Sequence, residues 1–176
     1  MKSDNHYELA FDAFLRERGC AVVPVVEARR SYLDANEVKS PDFLVVGQAE
    51  TKLVVDVKGR KFPGTAKGGK PRHVWHNWCE REDVESLVKW SCKLGNFQGV
   101  LAFVYDIALE FELPPCTPDV FVFRGRVYLM RGVLVGDYRA NMRTRSPRWG
   151  TVHLLSDDFR RIVRPITHFL APPPAP

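Results

Sequence analysis

The chain has 176 residues, a length that suits one domain with a real hydrophobic core. Its hydrophobic content of 45% and charged content of 27% are typical of a globular protein rather than a disordered one. The net charge of +5 is modest, and alone it does not separate nucleic-acid binding from a solvated basic surface. No apolar run approaches the roughly 20 residues of a membrane span, and no apolar signal core follows the first residues, so we expect a cytoplasmic protein.

The N-terminal part predicts one helix and one strand. Apolar residues recur at helical spacing over residues 6–18, and Gly19 is placed to end that helix. Residues 20–27 are rich in valine and predict a strand, in which Pro24 favours an edge position or a bulge. Residues 28–39 are polar and predict a connection with room for a short turn of helix.

Two apolar runs that follow, residues 42–46 and 52–58, predict a β-hairpin that carries three charged side chains. Asp56 and Lys58 share one face of the second strand, because side chains alternate along a strand. A turn centred near residue 49 sets Asp42 opposite Asp56, so that two carboxylates and an ammonium converge. A slip of one residue in the register would turn Asp42 to the other face.

The rest of the chain predicts a mixed α/β fold. Residues 59–80 are a long loop rich in Gly, Lys and Arg, and loops of that length are often functional. Residues 81–94 predict a second helix, and residues 100–105 a strand buried on both faces. Further on we expect a hairpin over residues 120–130 that turns near Arg124, a short helix within 133–142, a basic loop over 143–150, a strand over 151–155, and a last helix capped by Ser156.

The order helix, three strands, helix and strand is that of an α/β protein with a mixed sheet. We expect a single domain over residues 1–170, with a core at 6–106 and a C-terminal addition at 107–170. Residues 171–176 (APPPAP) are expected to be a flexible, Pro-rich tail.

This order, with its charged residues, resembles the PD-(D/E)xK nuclease superfamily, which includes type II restriction enzymes and archaeal Holliday junction resolvases. The matching residues are Glu8 on the first helix, Pro41-Asp42 on the second strand and Asp56-Val57-Lys58 on the third. The resemblance covers roughly residues 6–106 and implies a restriction-endonuclease-like αβββαβ core, followed by a C-terminal hairpin and helix. The stretch His6-Tyr7-Glu8-x-Ala10-Phe11 also looks like the signature of an uncharacterised bacterial family, which has no known activity.

The superfamily resemblance implies a nuclease that hydrolyses DNA with Mg²⁺ or Mn²⁺. Asp42 and Asp56 are the expected metal ligands, because carboxylate oxygens suit these hard cations, and the resemblance adds the Val57 carbonyl. Lys58 is expected to orient or deprotonate the attacking water, and Glu8 to bind metal through water.

Each of these residues also has a structural interpretation. Glu8 stands at the capping-box position if Asn5 caps the first helix. Asp42 can be a turn residue after Pro41, and Asp56 can pair with Lys58 on a solvated strand face. The alternatives to a nuclease are a non-catalytic nucleic-acid-binding module on the same fold and a structural or protein-interaction domain.

Residues outside the motif leave further choices open. One auxiliary site residue is expected from the second helix, and the sequence does not choose among Glu82, Asp83, Glu85 and Lys89. His73, His76 and Cys79 repeat every third residue, but a second pair of zinc ligands is missing, which favours an ordinary loop. Trp75 and Trp78 suit either the core or stacking on bases.

Basic residues in two stretches are expected to contact the phosphates of DNA. The expected contacts are Arg60, Lys61, Lys67, Lys70, Arg72, Arg143 and Arg145. Arg29 and Arg30 follow the first strand and are equally compatible with phosphate contact and with solvation. A homodimer is possible, although no coiled-coil pattern indicates one.

Overall fold

The computed structural model of the protein describes residues 5–26, 30–33, 36–48, 50–65 and 71–171. The helices are α1 (His6–Glu17), α2 (Arg81–Leu94), α3 (Val135–Asn141), α4 (Ser156–Ile162) and α5 (Ile166–Leu170). The strands of the first half are β1 (Ala21–Pro24), β2 (Ser31–Leu33), β3 (Asn36–Val38), β4 (Phe43–Val46), β5 (Lys52–Phe62), β6 (Gly64–Thr65), β7 (Pro71–Arg72) and β8 (Cys79–Glu80). The strands of the second half are β9 (Gln98–Ile107), β10 (Val120–Phe123), β11 (Arg126–Leu134), β12 (Arg143–Ser146), β13 (Thr151–His153) and β14 (Arg164–Pro165).

The central sheet is mixed, as the sequence predicts. Its strands lie in the order β1-β4-β5-β9-β11-β10, and β14 also pairs with β11. The pairing of β5 with β9 is parallel, and the other pairings in this sheet are antiparallel. A parallel pair requires a crossover connection, and α2 lies on it. β1 is at the edge of the sheet, with β4 as its neighbour. Proline has no N–H to donate, and at an edge strand this costs no hydrogen bond to a second strand.

Helices cover both faces of this sheet. On one face, α1 and α5 pack on a core that includes Phe11, Phe14, Val55 and Val57. On the other face, α2, α3 and α4 pack on a core that includes Val54. Because strand residues alternate, Asp56 and Lys58 point to the α2 face.

The first helix and the central strands agree with the sequence predictions. Asn5 caps α1 with a side chain that accepts a hydrogen bond from the Tyr7 N–H (3.2 Å), and Gly19 leaves the helix with φ of 71°. The predicted second helix is α2, with the predicted bounds. The predicted strand over residues 100–105 is the buried centre of β9. The hairpin β10–β11 turns at Arg124 with positive φ, as expected for a two-residue loop.

Three predictions about connections are wrong. The polar connection at residues 28–39 contains the two-stranded ribbon β2–β3 in place of a helical turn. The predicted loop 59–80 begins as strand, because β5 continues to Phe62 alongside β9. The basic loop 143–150 includes β12, which pairs with β13. The pairing of β5 with β9 is remote in sequence, whereas β2–β3 and β12–β13 are short local hairpins whose polar composition lacks the apolar alternation that marks a strand.

The last long helix begins close to its predicted start. Leu155 rather than Ser156 is the N-cap position of α4, so the last predicted helix begins one residue earlier than expected. The Pro-rich tail falls almost entirely on residues 172–176, outside the described residues. In the part of the chain that the structure describes, no helix is long and apolar enough to cross a membrane.

Candidate active site

The hairpin register brings Asp42 and Asp56 together. Phe43 of β4 pairs with Val55 of β5, and one residue further this register sets Asp42 opposite Asp56. The Asp42 N–H donates to the Val55 carbonyl (2.9 Å), one residue out of this register, so the ladder is irregular at its end, but the negative charge of Asp56 still acts on the Asp42 carboxyl group. The two carboxyl groups are therefore neighbours on one face, which is the arrangement that the spacing of the two strands predicts.

Asp42 is held at the strand entry and is almost fully buried, with 6% of the residue exposed. Its Oδ2 accepts a hydrogen bond from the Val57 N–H (2.5 Å), which holds the carboxyl group against β5. Burial raises the pKa of Asp42 to about 8, and the negative charge of Asp56 adds to the rise. The two carboxyl groups therefore repel each other when both are ionised.

An ionic cluster joins β5 to α2. The ammonium of Lys58 lies 2.6 Å from Oδ2 of Asp56 and 2.8 Å from Oδ2 of Asp83. The contact with Asp56 is a close, buried ion pair. Among the four candidates on the second helix, Asp83 is the residue that reaches the motif.

Lys39 is a second ammonium in this cluster. Its Nζ pairs with Oδ1 of Asp83, while the other oxygen of that carboxylate faces Lys58. Burial alone would raise the pKa of Asp83, but Lys58 and Lys39 outweigh it and lower that pKa. Lys39 is not among the predicted site residues, and no sequence signal identifies it because its partner lies 44 residues further along the chain.

The pKa values of Asp56 and Lys58 shift according to their burial and pairing. Burial raises the pKa of Asp56, and the attraction of Lys58 does not fully offset it. For Lys58, burial acts downward, but the carboxylates of Asp56 and Asp83 outweigh it and raise the pKa above its ordinary value. Lys58 is therefore a permanent cation at neutral pH in this arrangement.

Glu8 lies on α1, close enough to Asp42 for its charge to act on that carboxyl group. Its Oε1 accepts a hydrogen bond from the Asn5 side chain, and its charge contributes to the raised pKa of Asp42. Gly59 lets the start of α1 approach β5, because a Cβ at that position would overlap the ring of Tyr7. The metal-site role expected of Glu8 stays a prediction.

The other polar residues of α2 serve the structure. Glu82 pairs with Arg30, and Glu85 pairs with Arg139 at 3.0 Å. Lys89 is exposed. Arg30, which was equally compatible with phosphate contact and with solvation, is an ion-pair partner. Arg29 lies outside the described residues.

The carboxyl pair predicts a pH dependence in the absence of metal. Folding raises the pKa of Asp42 from 3.8 to about 8, so the folded protein keeps a proton that the unfolded chain has released. The free energy of unfolding in EDTA should therefore fall as pH rises from about 4 to about 8, by up to roughly 1.4 kcal/mol per pH unit. Urea unfolding at pH 5, 6, 7 and 8 measures the slope.

Two variants make this test specific. Asp42→Asn should flatten the slope, because the amide does not titrate. The control Asp157→Asn changes a side chain that is 96% exposed and should leave the slope as it is. Equal slopes for Asp42→Asn and the unmodified protein would contradict the buried carboxyl pair.

The described part of the chain holds no larger group of metal-ligating side chains. Within residues 5–26, 30–33, 36–48, 50–65 and 71–171, no set of three or more His, Cys, Asp or Glu side chains is arranged to hold a metal. His73, His76 and Cys79 are not such a set. Cys79 is buried, and burial raises the pKa of its thiol to about 12.

The basic residues expected on DNA have different environments. Lys61, Arg143 and Arg145 are exposed. Arg60 is half-buried, and its guanidinium donates to the carbonyls of Gly59 (2.6 Å) and Trp78. Lys67 and Lys70 lie outside the described residues, and only the backbone of Arg72 is described.

The two tryptophans separate into different roles. Trp75 stacks on Phe62 with ring centroids 3.6 Å apart and belongs to the margin of the core. Trp78 lies under two guanidinium groups, those of Arg60 at 4.0 Å and Arg145 at 4.7 Å. The core interpretation therefore fits Trp75, whereas Trp78 anchors a basic surface.

Comparison with known proteins gives a match in structure alone. No protein-family model and no curated protein sequence matches the chain, so the bacterial family suggested by its N-terminal signature is not supported. The chain is similar to the solved structure of Hjc from Archaeoglobus fulgidus, a Holliday junction resolvase from an archaeal hyperthermophile. The TM-score is 0.54 at 14% identity, over 94% of this chain and 98% of the resolvase.

This similarity extends beyond residues 6–106, the range over which the sequence motifs suggest a counterpart. At 14% identity it identifies the architecture and leaves the chemistry to the residues described above. The chain has the restriction-endonuclease-like α/β fold that its sequence predicts.

Proposed function

We propose that the protein is a divalent-metal-dependent nuclease that hydrolyses phosphodiester bonds of DNA. The observation that carries the proposal is the convergence of Asp42, Asp56 and Lys58 on one buried face. Burying carboxylates costs folding free energy, so two of them side by side in a hairpin favour a functional site. The resolvase-like fold supports the same conclusion, since the neighbour is named for its action on DNA junctions.

The carboxyl pair fits a hard cation such as Mg²⁺ or Mn²⁺. Burial and the Asp56 charge raise the pKa of Asp42, and a divalent cation between the two groups would relieve this repulsion. Mg²⁺ usually keeps several waters and needs only one or two protein carboxylates, so a set of three acids is not required. Asp42, Asp56 and the Val57 carbonyl would hold the ion. A bound ion would lower the pKa of a water and offset charge on the phosphate.

Lys58 is assigned an electrostatic role. Its raised pKa keeps the ammonium charged, so it suits the orientation of the attacking water and the stabilisation of the phosphorane better than proton abstraction. Asp83 is a positioning residue, because it holds the ammonium of Lys58 from α2 at 2.8 Å. Glu8 would act at longer range, through water, on a metal held by the aspartates.

The basic residues would hold the DNA backbone. Lys61, Arg143 and Arg145 are exposed and suit phosphate contacts, and Arg60 would support the surface beneath them. Lys67, Lys70 and Arg72 stay in this proposal as predictions. Phosphate contacts give affinity without reading bases, so we propose DNA as the substrate without a target sequence. The possible homodimer also stays a prediction.

A cleavage assay tests the nuclease proposal. Plasmid, single-stranded and branched DNA should be cut in the presence of Mg²⁺ or Mn²⁺, and EDTA should stop the reaction because the carboxyl pair alone lacks an activated water. Products resolved on denaturing gels also separate internal cuts from cuts at ends. No cleavage of any of these substrates with either metal would refute the nuclease.

A non-catalytic nucleic-acid-binding module is the second candidate. It is favoured by the ionic contacts of Lys58, whose ammonium is already paired with Asp56 and Asp83. It predicts DNA binding that weakens steeply with salt, without cleavage. If the protein has no affinity for DNA at moderate salt, it is neither a nuclease nor a nucleic-acid-binding module. A structural or protein-interaction domain would then be the remaining interpretation.

A further inference from the structure

An aromatic and basic surface lies on a small second sheet, apart from the carboxyl pair. β12 and β13 form a hairpin that pairs with β8 outside the central sheet. Trp149, in the turn of this hairpin, is 70% exposed. An open cavity of about 580 Å³ lies beside it, and we call its lining the Trp149 surface: Trp78, Glu80, Arg145, Ser146, Trp149 and Thr151.

The chemistry of the Trp149 surface matches a nucleotide. The Arg145 guanidinium is held 4.7 Å from the Trp78 ring centroid, and that of Arg148 lies 5.5 Å from the Trp149 ring centroid. Glu80 is the single carboxylate among the six lining residues, and it forms a capping box with Asp83 at the start of α2. An exposed indole beside guanidinium groups suits a ligand with a planar ring and a negative charge.

Two series of contacts connect this surface with the residues around the carboxyl pair. Arg60 follows Lys58 by two residues, so their side chains share a face of β5, and Arg60 stacks on Trp78 at 4.0 Å. The Glu80 N–H donates to Oδ2 of Asp83 (2.9 Å), the same oxygen that contacts Lys58. A strand of nucleic acid at the carboxyl pair would therefore reach the Trp149 surface within a few nucleotides.

We infer that the Trp149 surface binds an unpaired nucleotide of the substrate strand, with its base stacked on Trp149 and its phosphate on Arg145. The base must be unpaired, because bases inside a duplex are already stacked on both faces and offer no ring to the indole. The position of this nucleotide beside the scissile phosphate rests on the proposed nuclease function. The inference gives that nuclease a preference for single-stranded or branched substrates.

Binding measurements in EDTA test the inference without cleavage. Fluorescence anisotropy of a labelled oligothymidylate and of a fully paired duplex gives two dissociation constants for each protein variant. Trp149→Ala should weaken oligothymidylate binding about tenfold and change duplex binding less than twofold. Trp149→Phe should retain most of the affinity, because it keeps an aromatic face.

Two control variants separate stacking from general surface effects. Leu109→Ala removes another large apolar side chain that is 81% exposed, and it should leave both dissociation constants unchanged. Arg145→Ala should reduce the slope of binding against salt by about one, because one phosphate contact is lost. Arg124→Ala, in the exposed turn of β10–β11, should keep the slope.

The outcomes distinguish this inference from the nuclease proposal. Equal oligothymidylate affinities for Trp149→Ala and the unmodified protein would overturn the inference, whether or not DNA is cleaved. A tenfold loss in a protein that cleaves nothing would support the nucleotide site and refute the nuclease. A loss of equal size on duplex and on single strands would also overturn the inference, because stacking requires a free base.

Discussion

Asp56→Asn should lower the rate of DNA cleavage by roughly a hundredfold to a thousandfold, while the protein stays folded. The amide removes the negative charge that is proposed to hold a divalent cation and that pairs with Lys58 at 2.6 Å. Single-turnover cleavage with protein in excess over DNA measures the effect on the chemical step. Binding to DNA in EDTA should change little, since the aspartate is buried.

The free energy of unfolding of Asp56→Asn should not fall with the cleavage rate. Burial raises the pKa of Asp56, so its charge opposes folding, and the neutral amide should leave the free energy of unfolding at pH 7 unchanged or higher. Asp137→Asn, on the exposed side of α3, is the control and should keep full activity. Cleavage by Asp56→Asn within threefold of the unmodified rate would remove Asp56 from the proposed mechanism.

Lys58→Met should destabilise the protein by about 3–5 kcal/mol at pH 7. The methionine fills a similar volume but leaves Asp56 buried without its close ammonium partner, and it leaves Asp83 with Lys39 alone. Urea unfolding measures the loss. The loss should shrink toward pH 5, because a protonated Asp56 no longer needs a cation.

A matched control lies three residues away on the same strand. Lys61→Met changes an exposed lysine of β5 and should alter the free energy of unfolding by less than about 0.5 kcal/mol. The double variant Asp56→Asn, Lys58→Met should recover part of the stability, since neither charge of that pair remains. A destabilisation below 1 kcal/mol for Lys58→Met would mean that the carboxylates find another partner.

The core of the candidate site is predictable from the sequence because it is local. Two apolar strands with a short polar gap determine a hairpin, and the alternation of side chains then fixes the faces of Asp56 and Lys58. The observed pairing of Phe43 with Val55 confirms the register on which Asp42 depends. A hairpin needs no information about distant parts of the chain.

The remaining contacts of the site depend on tertiary packing. Asp83 could not be chosen over its neighbours on α2, because the rotation of a helix about its axis is set by how it packs on the sheet. Lys39 could not be predicted, since it joins the site through its ion pair with Asp83 on α2. The strand at residues 59–62 looked like loop because its pairing with β9 is remote in sequence.

The parallel pairing of β5 with β9 bears on the order in which the site assembles. The hairpin that holds Asp42, Asp56 and Lys58 closes a loop of only a few residues, whereas Asp83 arrives on the crossover that the parallel pair requires. We therefore expect the hairpin to form before α2 docks, so that the two aspartates and the lysine are buried only when the crossover closes. The ionic cluster of Lys58, Asp56 and Asp83 should then form late in folding, and amide exchange in α2 during refolding would follow it.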